Sequence, residues 1–222
     1  MREHLTDSVE DYLKAIYEIT LEDERASTNQ IAALMGVAPA SVTGMLKRLA
    51  ANDPPLLEYQ KHRGAELTLE GQKVALEIIR HHRLLELFLH ETLGYSWDQV
   101  HAEADRLEHV ISEELEERIA ATLGNPLVDP HGDPIPTREL EMPAESWLCL
   151  SDLRAGQQAI VQRVGDENPE LLRYLTGIGL IPQAHLAVTG FSEFDGNLHL
   201  TLEDHNLVLG PGVTRQIFVE VV

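Results

Sequence analysis

The chain has 222 residues, 43% of them hydrophobic, and a formal net charge of −20 at pH 7. This length can form the cores of two or three small domains, and its single cysteine excludes an intramolecular disulfide framework and fits a reducing compartment. No apolar run approaches membrane-spanning length and the N-terminal segment MREHLTDSVEDY is charged, so we expect a cytoplasmic protein without a membrane partner.

The N-terminal quarter of the chain predicts three short helices. Apolar residues recur at helical spacing through residues 6–20. Ser27 or Thr28 is a suitable cap for a second helix, which Gly36 ends, and a third helix covers roughly residues 39–51. Two short helices joined by a glycine-containing turn indicate a helix-turn-helix motif.

The next segment, LLEYQKHRGAELTLEGQ at residues 56–72, predicts two strands around a basic turn at residues 61–64. A helix-turn-helix followed by such a hairpin is a winged helix. The overall net charge argues against nucleic-acid binding, but residues 39–83 hold seven basic against five acidic side chains. A phosphate-binding face is therefore expected in this window.

In a winged helix the third helix enters the major groove of DNA. Its first residues here are small, so they can contact thymine methyls and phosphates but offer no bidentate base contact, and DNA shape and water should contribute to specificity. The alternative is that the basic side chains are merely solvated on a protein-binding winged helix. The expected DNA contacts are Ala38, Pro39, Ala40, Ser41 and Thr43 on the helix, with Lys47, Lys61 and Arg63 at phosphates.

From Leu69 a helical pattern continues to about Gly94 and places His82 and Glu86 four residues apart. That spacing can hold a cation, although a lone pair of this kind is more often an ordinary surface contact. A further helix is predicted over roughly residues 96–122. Its apolar side chains are mostly offset from its histidines and predict a dimer interface. They are Val100, Ala104, Leu107, Ile111 and Leu115.

The segment HAEADRLEH in this predicted helix carries the clearest sign of function. His101, Asp105, Glu108 and His109 are spaced i, i+4, i+7 and i+8, which places them on one helical face. Carboxylates packed this closely repel each other, and a buried face cannot keep them charged without a partner. A divalent cation would remove both problems, so this face predicts a metal site.

The remainder of the chain changes character at residue 124. Residues 124–145 hold five of the eleven prolines and show little periodicity, which is typical of an extended linker. Short β runs then alternate with glycine-rich turns around one short helix, which predicts a small SH3-like β-barrel. The predicted fold class is mainly α with β: a winged helix-turn-helix DNA-binding domain over 1–71, a helical dimerisation and metal-binding domain over 72–123, the linker over 124–145 and the SH3-like domain over 146–222.

The whole chain resembles the DtxR/MntR family of metal-dependent transcriptional repressors. The similarity is to the three-part members, whose C-terminal SH3-like domain is similar to the ferrous-transport protein FeoA. It covers essentially the full length, and its motifs together are far more specific than a lone helix-turn-helix. They are VEDYLKAIYE, RHHRLLELFL, VHAEADRLEHVIS, DPHGDPIP and ELLRYLTGIGLIP.

This resemblance implies a primary metal site made by Asp11, Asp105, Glu108 and His109. In the iron-responsive branch the first two positions are Met and Cys, whereas both are carboxylates here. Hard oxygen donors favour Mn²⁺, so Mn(II) is the first choice and Fe(II) the second, while ligand type alone does not exclude other divalent metals such as Zn²⁺ or Cu²⁺ in vitro. Some manganese-sensing relatives have a further acid one turn after Asp11, but Lys14 stands there in this chain, which argues against a closely bridged two-metal cluster.

The resemblance also implies a second, ancillary metal site. Some relatives build it from the two helices, and others complete it from the linker and an acid of the SH3-like domain. The helical set is His82, Glu86 and His101, and the alternative set combines Glu86 with Asp129, His131 and Asp166. The sequence alone does not choose between the two sets. For the two linker residues, turn chemistry in a Pro-Gly segment is an equally strong interpretation.

The function implied by the resemblance is a repressor that binds a palindromic operator as a homodimer and controls metal-uptake genes. A metal that joins the DNA-binding and dimer units would fix two recognition helices at half-sites one helical turn apart, roughly 34 Å. We expect no catalytic activity and no small-molecule substrate. Three alternatives are a metallohydrolase using the same ligands, a winged-helix regulator that responds to an organic ligand, and a metal buffer that never releases its ion.

Overall fold

The computed structural model describes residues 5–21, 23–166, 168–203 and 205–222, which form two compact units. The first unit contains the described residues through His81 together with Glu108–Ile111 and Pro136–Met142. The second contains His82–Leu107, Ser112–Ile135 and the described part of Pro143–Val222. Among the described residues, no helix is both long and apolar enough to cross a membrane.

The N-terminal part of the first unit is a winged helix-turn-helix, as the sequence predicts. Ser27, and not Thr28, caps the second helix, because its hydroxyl accepts the backbone N–H of Gln30 while the Gln30 side chain accepts the N–H of Ser27. The two strands that follow pair antiparallel. The elements are α1 (Asp7–Thr20), α2 (Thr28–Leu34), α3 (Pro39–Ala50), β1 (Leu57–Gln60) and β2 (Gly64–Leu67).

The core of the winged helix is made by apolar side chains from each of these elements. Leu13 and Ile16 of α1, Ile31 of α2, Leu46 of α3 and Leu57 of β1 are all fully buried. Burying a side chain of this size contributes about 1.5–3 kcal/mol relative to leaving it exposed. This packing fixes one face of α1, whose other residues include the predicted ligand Asp11.

Two glycines of this domain make a matched pair for a stability test. Neither Gly36 nor Gly44 would bring an added Cβ within 4 Å of another atom, but Gly36 has φ +64° whereas Gly44 lies inside α3. We expect Gly44→Ala to raise the free energy of unfolding by about 0.5–1 kcal/mol, since alanine loses less conformational freedom in a helix. Gly36→Ala should lower it by about 1–2 kcal/mol, because a side chain disfavours the left-handed region. Urea unfolding measures both, and equal shifts would contradict this account.

The helical region that follows differs from the sequence prediction in one place. The long helix predicted from Leu69 is confirmed as α4 (Leu69–Leu93). The single helix predicted over residues 96–122 is wrong, because the chain forms α5 (Val100–Leu107) and then α6 (Glu113–Thr122).

Two hydrogen bonds mark the interruption between α5 and α6. The backbone carbonyl of Glu108 accepts a hydrogen bond from His81 Nδ1 at 3.0 Å, and Ser112 starts the next helix by accepting the N–H of Leu115. Glu108 and His109 therefore lie in the turn after α5. The prediction that they share one helical face with the two preceding ligand candidates is wrong.

The predicted dimer interface needs a similar correction. Val100 and Ala104 are buried within the chain itself, so they are not available to a partner. Leu115 on α6 is 45% exposed and remains a candidate for such a surface.

The C-terminal part of the second unit is an antiparallel sheet with one packed helix. Its elements are β3 (Leu148–Cys149), β4 (Gln158–Val164), α7 (Pro169–Ile178), β5 (His185–Phe191), β6 (Leu198–Leu202), β7 (His205–Leu209), α8 (Pro211–Thr214) and β8 (Ile217–Val221). The strand order is β3-β8-β4-β5-β6-β7, which is consistent with an SH3-like fold.

This sheet is not closed into the barrel that the sequence predicts. Over the described residues β3 pairs with β8 and β7 pairs with β6, and the two edges do not meet. The first strand has only two residues, which offers a returning strand too few backbone groups to close a barrel. Val161, Leu172, Val188, Leu200 and Val219 form the buried core between the sheet and α7.

Candidate metal centres

A first cluster, defined as Asp11, Glu108 and His109, lies within the first unit. Asp11 is on α1, and the other two residues are in the turn after α5. His109 Nε2 is 3.0 Å from Asp11 Oδ1 and 3.5 Å from Glu108 Oε1. Glu108 is 1% exposed. One imidazole nitrogen and two carboxylates that converge in this way form a donor set suited to a divalent cation.

Glu10, which no sequence pattern indicates, holds the imidazole of the first cluster in place. His109 Nδ1 donates to Glu10 Oε2 at 2.7 Å, and Glu10 is buried. A carboxylate on the far nitrogen fixes the tautomer of a metal-binding histidine and leaves its Nε2 for the ion. Hydrogen bonding to Asp11 and to Glu10 raises the pKa of His109 to about 10. In the ion-free chain the imidazolium thus balances its acidic neighbours.

Lys14 supplies a second positive charge beside the first cluster. Its Nζ lies 3.2 and 3.0 Å from the two carboxylate oxygens of Glu108. From the sequence we expect this lysine to disfavour a second cation at the same place. Its contacts with both oxygens give that expectation a physical basis, because an ammonium group already lies where such a cation would need Glu108.

A second cluster, defined as His82, Glu86, His101 and Asp166, lies within the second unit. His82 Nε2 is 3.0 Å from Glu86 Oε1 and 3.1 Å from His101 Nδ1, and His101 Nδ1 is 3.1 Å from Glu86 Oε1. Asp166 Oδ2 lies 3.5 Å from His101 Nδ1. Bonds of about 2.1 Å at right angles put neighbouring ligand atoms about 3 Å apart, so these spacings fit one cation.

The charges of the second cluster are strongly coupled. Hydrogen bonding to Asp166 and to Glu86 raises the pKa of His101 to about 11. Burial alone would raise the pKa of the Glu86 carboxyl, but His82 and the hydrogen bonds around it hold that pKa well below its usual range. Without a cation, protonated imidazoles therefore neutralise the buried carboxylates.

A third cluster, defined as Glu86, Asp129 and His131, shares one residue with the second and also lies in the second unit. All three side chains are buried. Asp129 Oδ1 accepts the backbone N–H groups of His131 and Asp133 at 2.8 and 2.9 Å. This is the turn chemistry that the linker sequence also predicts. It occupies only one oxygen of Asp129, and the other is buried without a hydrogen bond to any described residue.

Asp105 belongs to the second unit, where it contacts the two histidines of the second cluster. Its Oδ1 is 3.3 Å from His82 Nδ1 and its Oδ2 is 3.6 Å from His101 Nε2. These are the ring nitrogens that face away from Glu86. Asp105 is therefore placed to orient both imidazoles from behind. Its role in the primary site remains a prediction.

The predicted DNA-contacting residues lie on α3 and on the turn between β1 and β2. Most of them are exposed, and Thr43 is half-buried with its hydroxyl donating to the carbonyl of Pro39 at 3.1 Å. The exposed ones are Ala38, Pro39, Ala40, Ser41, Lys47, Lys61 and Arg63.

Comparison with known families matches three parts of the chain. Residues 4–65 match the family described as iron dependent repressor, N-terminal DNA binding domain. Residues 68–137 match the iron dependent repressor, metal binding and dimerisation domain, and residues 148–221 match the FeoA domain.

The chain is similar to a repressor named for iron, to the regulator MntR and to a solved repressor named for manganese. The iron-dependent repressor IdeR of Mycobacterium tuberculosis (strain H37Rv) is 34% identical over 83% of this chain and 84% of its own length. The HTH-type transcriptional regulator MntR of Geobacillus kaustophilus is 35% identical over 51% of this chain and 79% of its own length. A solved manganese-dependent transcriptional repressor in complex with manganese has 35% identity and a TM-score of 0.89, covering 96% of this chain and all of that one.

Proposed function

Because this chain belongs to the DtxR/MntR family of metal-dependent DNA-binding repressors, we propose that manganese is the metal that it senses. The observation that carries the proposal is the first cluster, in which Asp11 Oδ1 and Glu108 Oε1 both face His109 Nε2. A cluster of one nitrogen and otherwise carboxylate oxygens suits a hard cation such as Mn²⁺. We propose that Asp105 completes this set.

Iron is the second candidate, and the similarity to IdeR favours it. The donor set argues for manganese over iron because none of the three clusters contains sulfur. Cys149, the only cysteine of the chain, lies in β3 with its Sγ 3.1 Å from Ser151 Oγ. The same carboxylates would also accept other divalent metals at high concentration in vitro.

The proposed switch depends on where the ligands stand in the chain. Asp11 is on α1 of the winged helix, and Asp105 is on α5. When bound, the cation supplies the positive charge that lets these carboxylates approach each other. We propose that their approach fixes the spacing of two recognition helices in a homodimer, so that both reach half-sites of a palindromic operator. Without the bound cation, fewer dimers have the geometry that binds the operator. The apparent affinity for DNA is then reduced in proportion to the fraction of dimers that can bind.

The same proposal includes the domain boundaries at residues 71, 123 and 145, repression of metal-uptake genes in the cytoplasm, and the absence of catalysis. The helix and turn that carry the clusters follow a winged helix directly, which a metallohydrolase would leave unexplained. Steady hydrolysis of an ester or phosphoester that requires Asp105 would overturn the non-catalytic part.

The experiment that tests this function is fluorescence anisotropy on labelled DNA from upstream of the protein's own gene. Mn²⁺ is titrated first, and Fe²⁺ is titrated anaerobically in a second series. Binding that tightens only with metal, and at lower free Mn²⁺ than Fe²⁺, supports a manganese sensor. The reverse order would make iron the signal. Binding that ignores metal would favour an organic-ligand regulator, and metal that survives mild chelation without any effect on DNA would favour a buffer.

Removing the basic side chains of the turn between β1 and β2 should weaken binding to DNA of any base sequence by a similar factor. We expect the double variant Lys61→Ala/Arg63→Ala to reduce the slope of log affinity against log salt by roughly 2, because each phosphate contact contributes about 0.9. Lys73→Ala, which removes an exposed lysine paired with Glu70 on α4, is the matched control and should leave the slope unchanged. An unchanged slope in the double variant would mean that the wing does not contact phosphate.

A further inference from the structure

The two carboxylate oxygens of Glu86 face two different sets of donor atoms. Oε1 lies 3.0 Å from His82 Nε2 and 3.1 Å from His101 Nδ1. Oε2 makes no hydrogen bond within the described residues, and it lies 3.8 Å from His131 Nδ1. Glu86 is fully buried, so neither oxygen has a ready supply of bulk water.

His131 places a ring nitrogen near this second oxygen, where it could bind a cation. Its Nε2 donates to the backbone carbonyl of Trp97 at 2.8 Å, and the Trp97 ring stacks on the imidazole with centroids 5.6 Å apart. These contacts fix the ring and its tautomer, as an outer-shell carbonyl does for metal-binding histidines. His131 Nδ1 is left buried without a hydrogen-bond partner in the described chain.

Asp129 supplies the third buried polar atom that lacks a hydrogen-bond partner among the described residues. Its Oδ1 is used by the turn, but its Oδ2 is buried and makes no hydrogen bond to any described residue. The Nε atom of Arg83 lies 4.0 Å from this oxygen. One ligand atom from each of Glu86, Asp129 and His131 lies within 4.8 Å of the other two. Leaving three such groups unpaired is costly, and a cation between them would satisfy all three.

We propose that the second unit holds a carboxylate-bridged pair of divalent cations, with Glu86 Oε1 bound to one and Glu86 Oε2 to the other. The second and third clusters are then two halves of one centre and not alternative versions of a single ancillary site. They share a residue but use different atoms of it, so filling one does not consume the ligands of the other. The inference rests on the proposed function only in taking Mn²⁺ as the physiological cation.

The charges around the pair are compatible with double occupancy. Glu86, Asp129 and Asp166 are the carboxylates of the centre. A further acid nearby, Asp133, is already paired, with Arg163 Nε at 2.8 Å and Arg83 Nη2 at 3.1 Å. Because the three carboxylates carry a charge of −3, one dication leaves the centre at −1 and two bring it to +1, so a second cation leaves the buried site no further from neutrality than the first.

The test counts Mn²⁺ bound to the full chain by equilibrium dialysis and records the electron paramagnetic resonance spectrum of the loaded protein. We expect wild type to show an exchange-coupled signal besides the six-line signal of an isolated ion. Asp129→Asn keeps the oxygen that holds the turn and loses the ligand oxygen. It should bind one ion per chain fewer and lose only the coupled signal. His82→Gln, which removes a ligand of the second cluster, should likewise bind one ion per chain fewer and lose the coupled signal.

Several outcomes separate this inference from the proposed function. Equal stoichiometry in wild type and Asp129→Asn, or a six-line signal alone in wild type, would overturn the bridged pair. Metal-dependent DNA binding would then still stand, because it depends on the first cluster. Conversely, a coupled signal in a protein that ignores operator DNA would support the pair and overturn the repressor mechanism. Thermal unfolding of the metal-free variants, compared with wild type, checks that each substitution leaves the fold intact.

Discussion

Replacing His109 by alanine should remove the manganese-dependent part of operator binding, lowering apparent affinity at saturating Mn²⁺ by at least about 100-fold. The imidazole is the one nitrogen donor of the first cluster, and it faces both Asp11 and Glu108. Its loss takes away a ligand and leaves the buried carboxylate Glu10 without its 2.7 Å partner. The variant should therefore fail to hold the ion even when the winged helix is folded.

Anisotropy on the operator measures this effect, with metal-free binding of each protein as the baseline. His185→Ala removes an exposed histidine of β5 that is in none of the three clusters, and it should bind like wild type. His109→Ala should also retain the coupled Mn²⁺ signal of the second unit. Metal-dependent binding of normal strength in His109→Ala would show that the first cluster is not the sensor.

Replacing Gly132 by alanine should produce the largest loss of stability among the glycines of the second unit. Gly132 has φ +93°, and an added Cβ would lie 1.9 Å from the backbone carbonyl oxygen of Gln162 in β4. A backbone atom cannot move aside as a side chain can. We expect a loss of about 3–4 kcal/mol in the free energy of unfolding, from the conformational strain together with the displaced strand.

Gly156 is the matched control for this substitution. It has the same φ of +93°, but an added Cβ would meet nothing within 4 Å. Gly156→Ala should therefore cost only the conformational strain, about 1–2 kcal/mol. The difference between the two variants in urea unfolding isolates the steric contribution. Because Gly132 follows His131, its variant should also weaken Mn²⁺ binding by the third cluster, whereas Gly156→Ala should not. Equal destabilisation by the two would contradict the clash.

The winged helix could be predicted from the sequence because its signals are local. The Ser27–Gln30 capping box, the apolar spacing of α1 and the basic turn between the strands each act within a few residues. Local signals of this kind do not depend on distant parts of the chain. The type and approximate bounds of all these elements could therefore be predicted from the sequence.

The break between α5 and α6 could not be predicted, since it depends on a distant residue. His81 donates to the carbonyl of Glu108 across 27 positions of sequence, and helical periodicity alone carries no sign of that contact. The barrel prediction failed for a related reason. Closure depends on pairing between the first and last strands of the sheet, which local β patterns do not encode.

The candidate metal ligands could be predicted as a set, but their distribution over the two units could not. Spacing and resemblance selected these residues, yet the division of His101 and Asp105 from Glu108 and His109 follows from the broken helix. The role of Glu10 could not be predicted because its neighbour Asp11 is also acidic, and only the contacts in the folded chain distinguish the two. A hydrogen bond to the far side of an imidazole leaves no trace in the sequence.

The first unit is assembled from three separate stretches of the chain, with Glu108–Ile111 and Pro136–Met142 added to the N-terminal part. A natural fusion or gene recombination that joined the winged helix to another protein after β2 would transfer α1 with Asp11, yet it would leave Glu108 and His109 behind. The resulting hybrid could still read DNA but would have lost its response to metal. In evolution, DNA reading can therefore be passed on without metal sensing, whereas metal sensing requires the later segments of the chain as well.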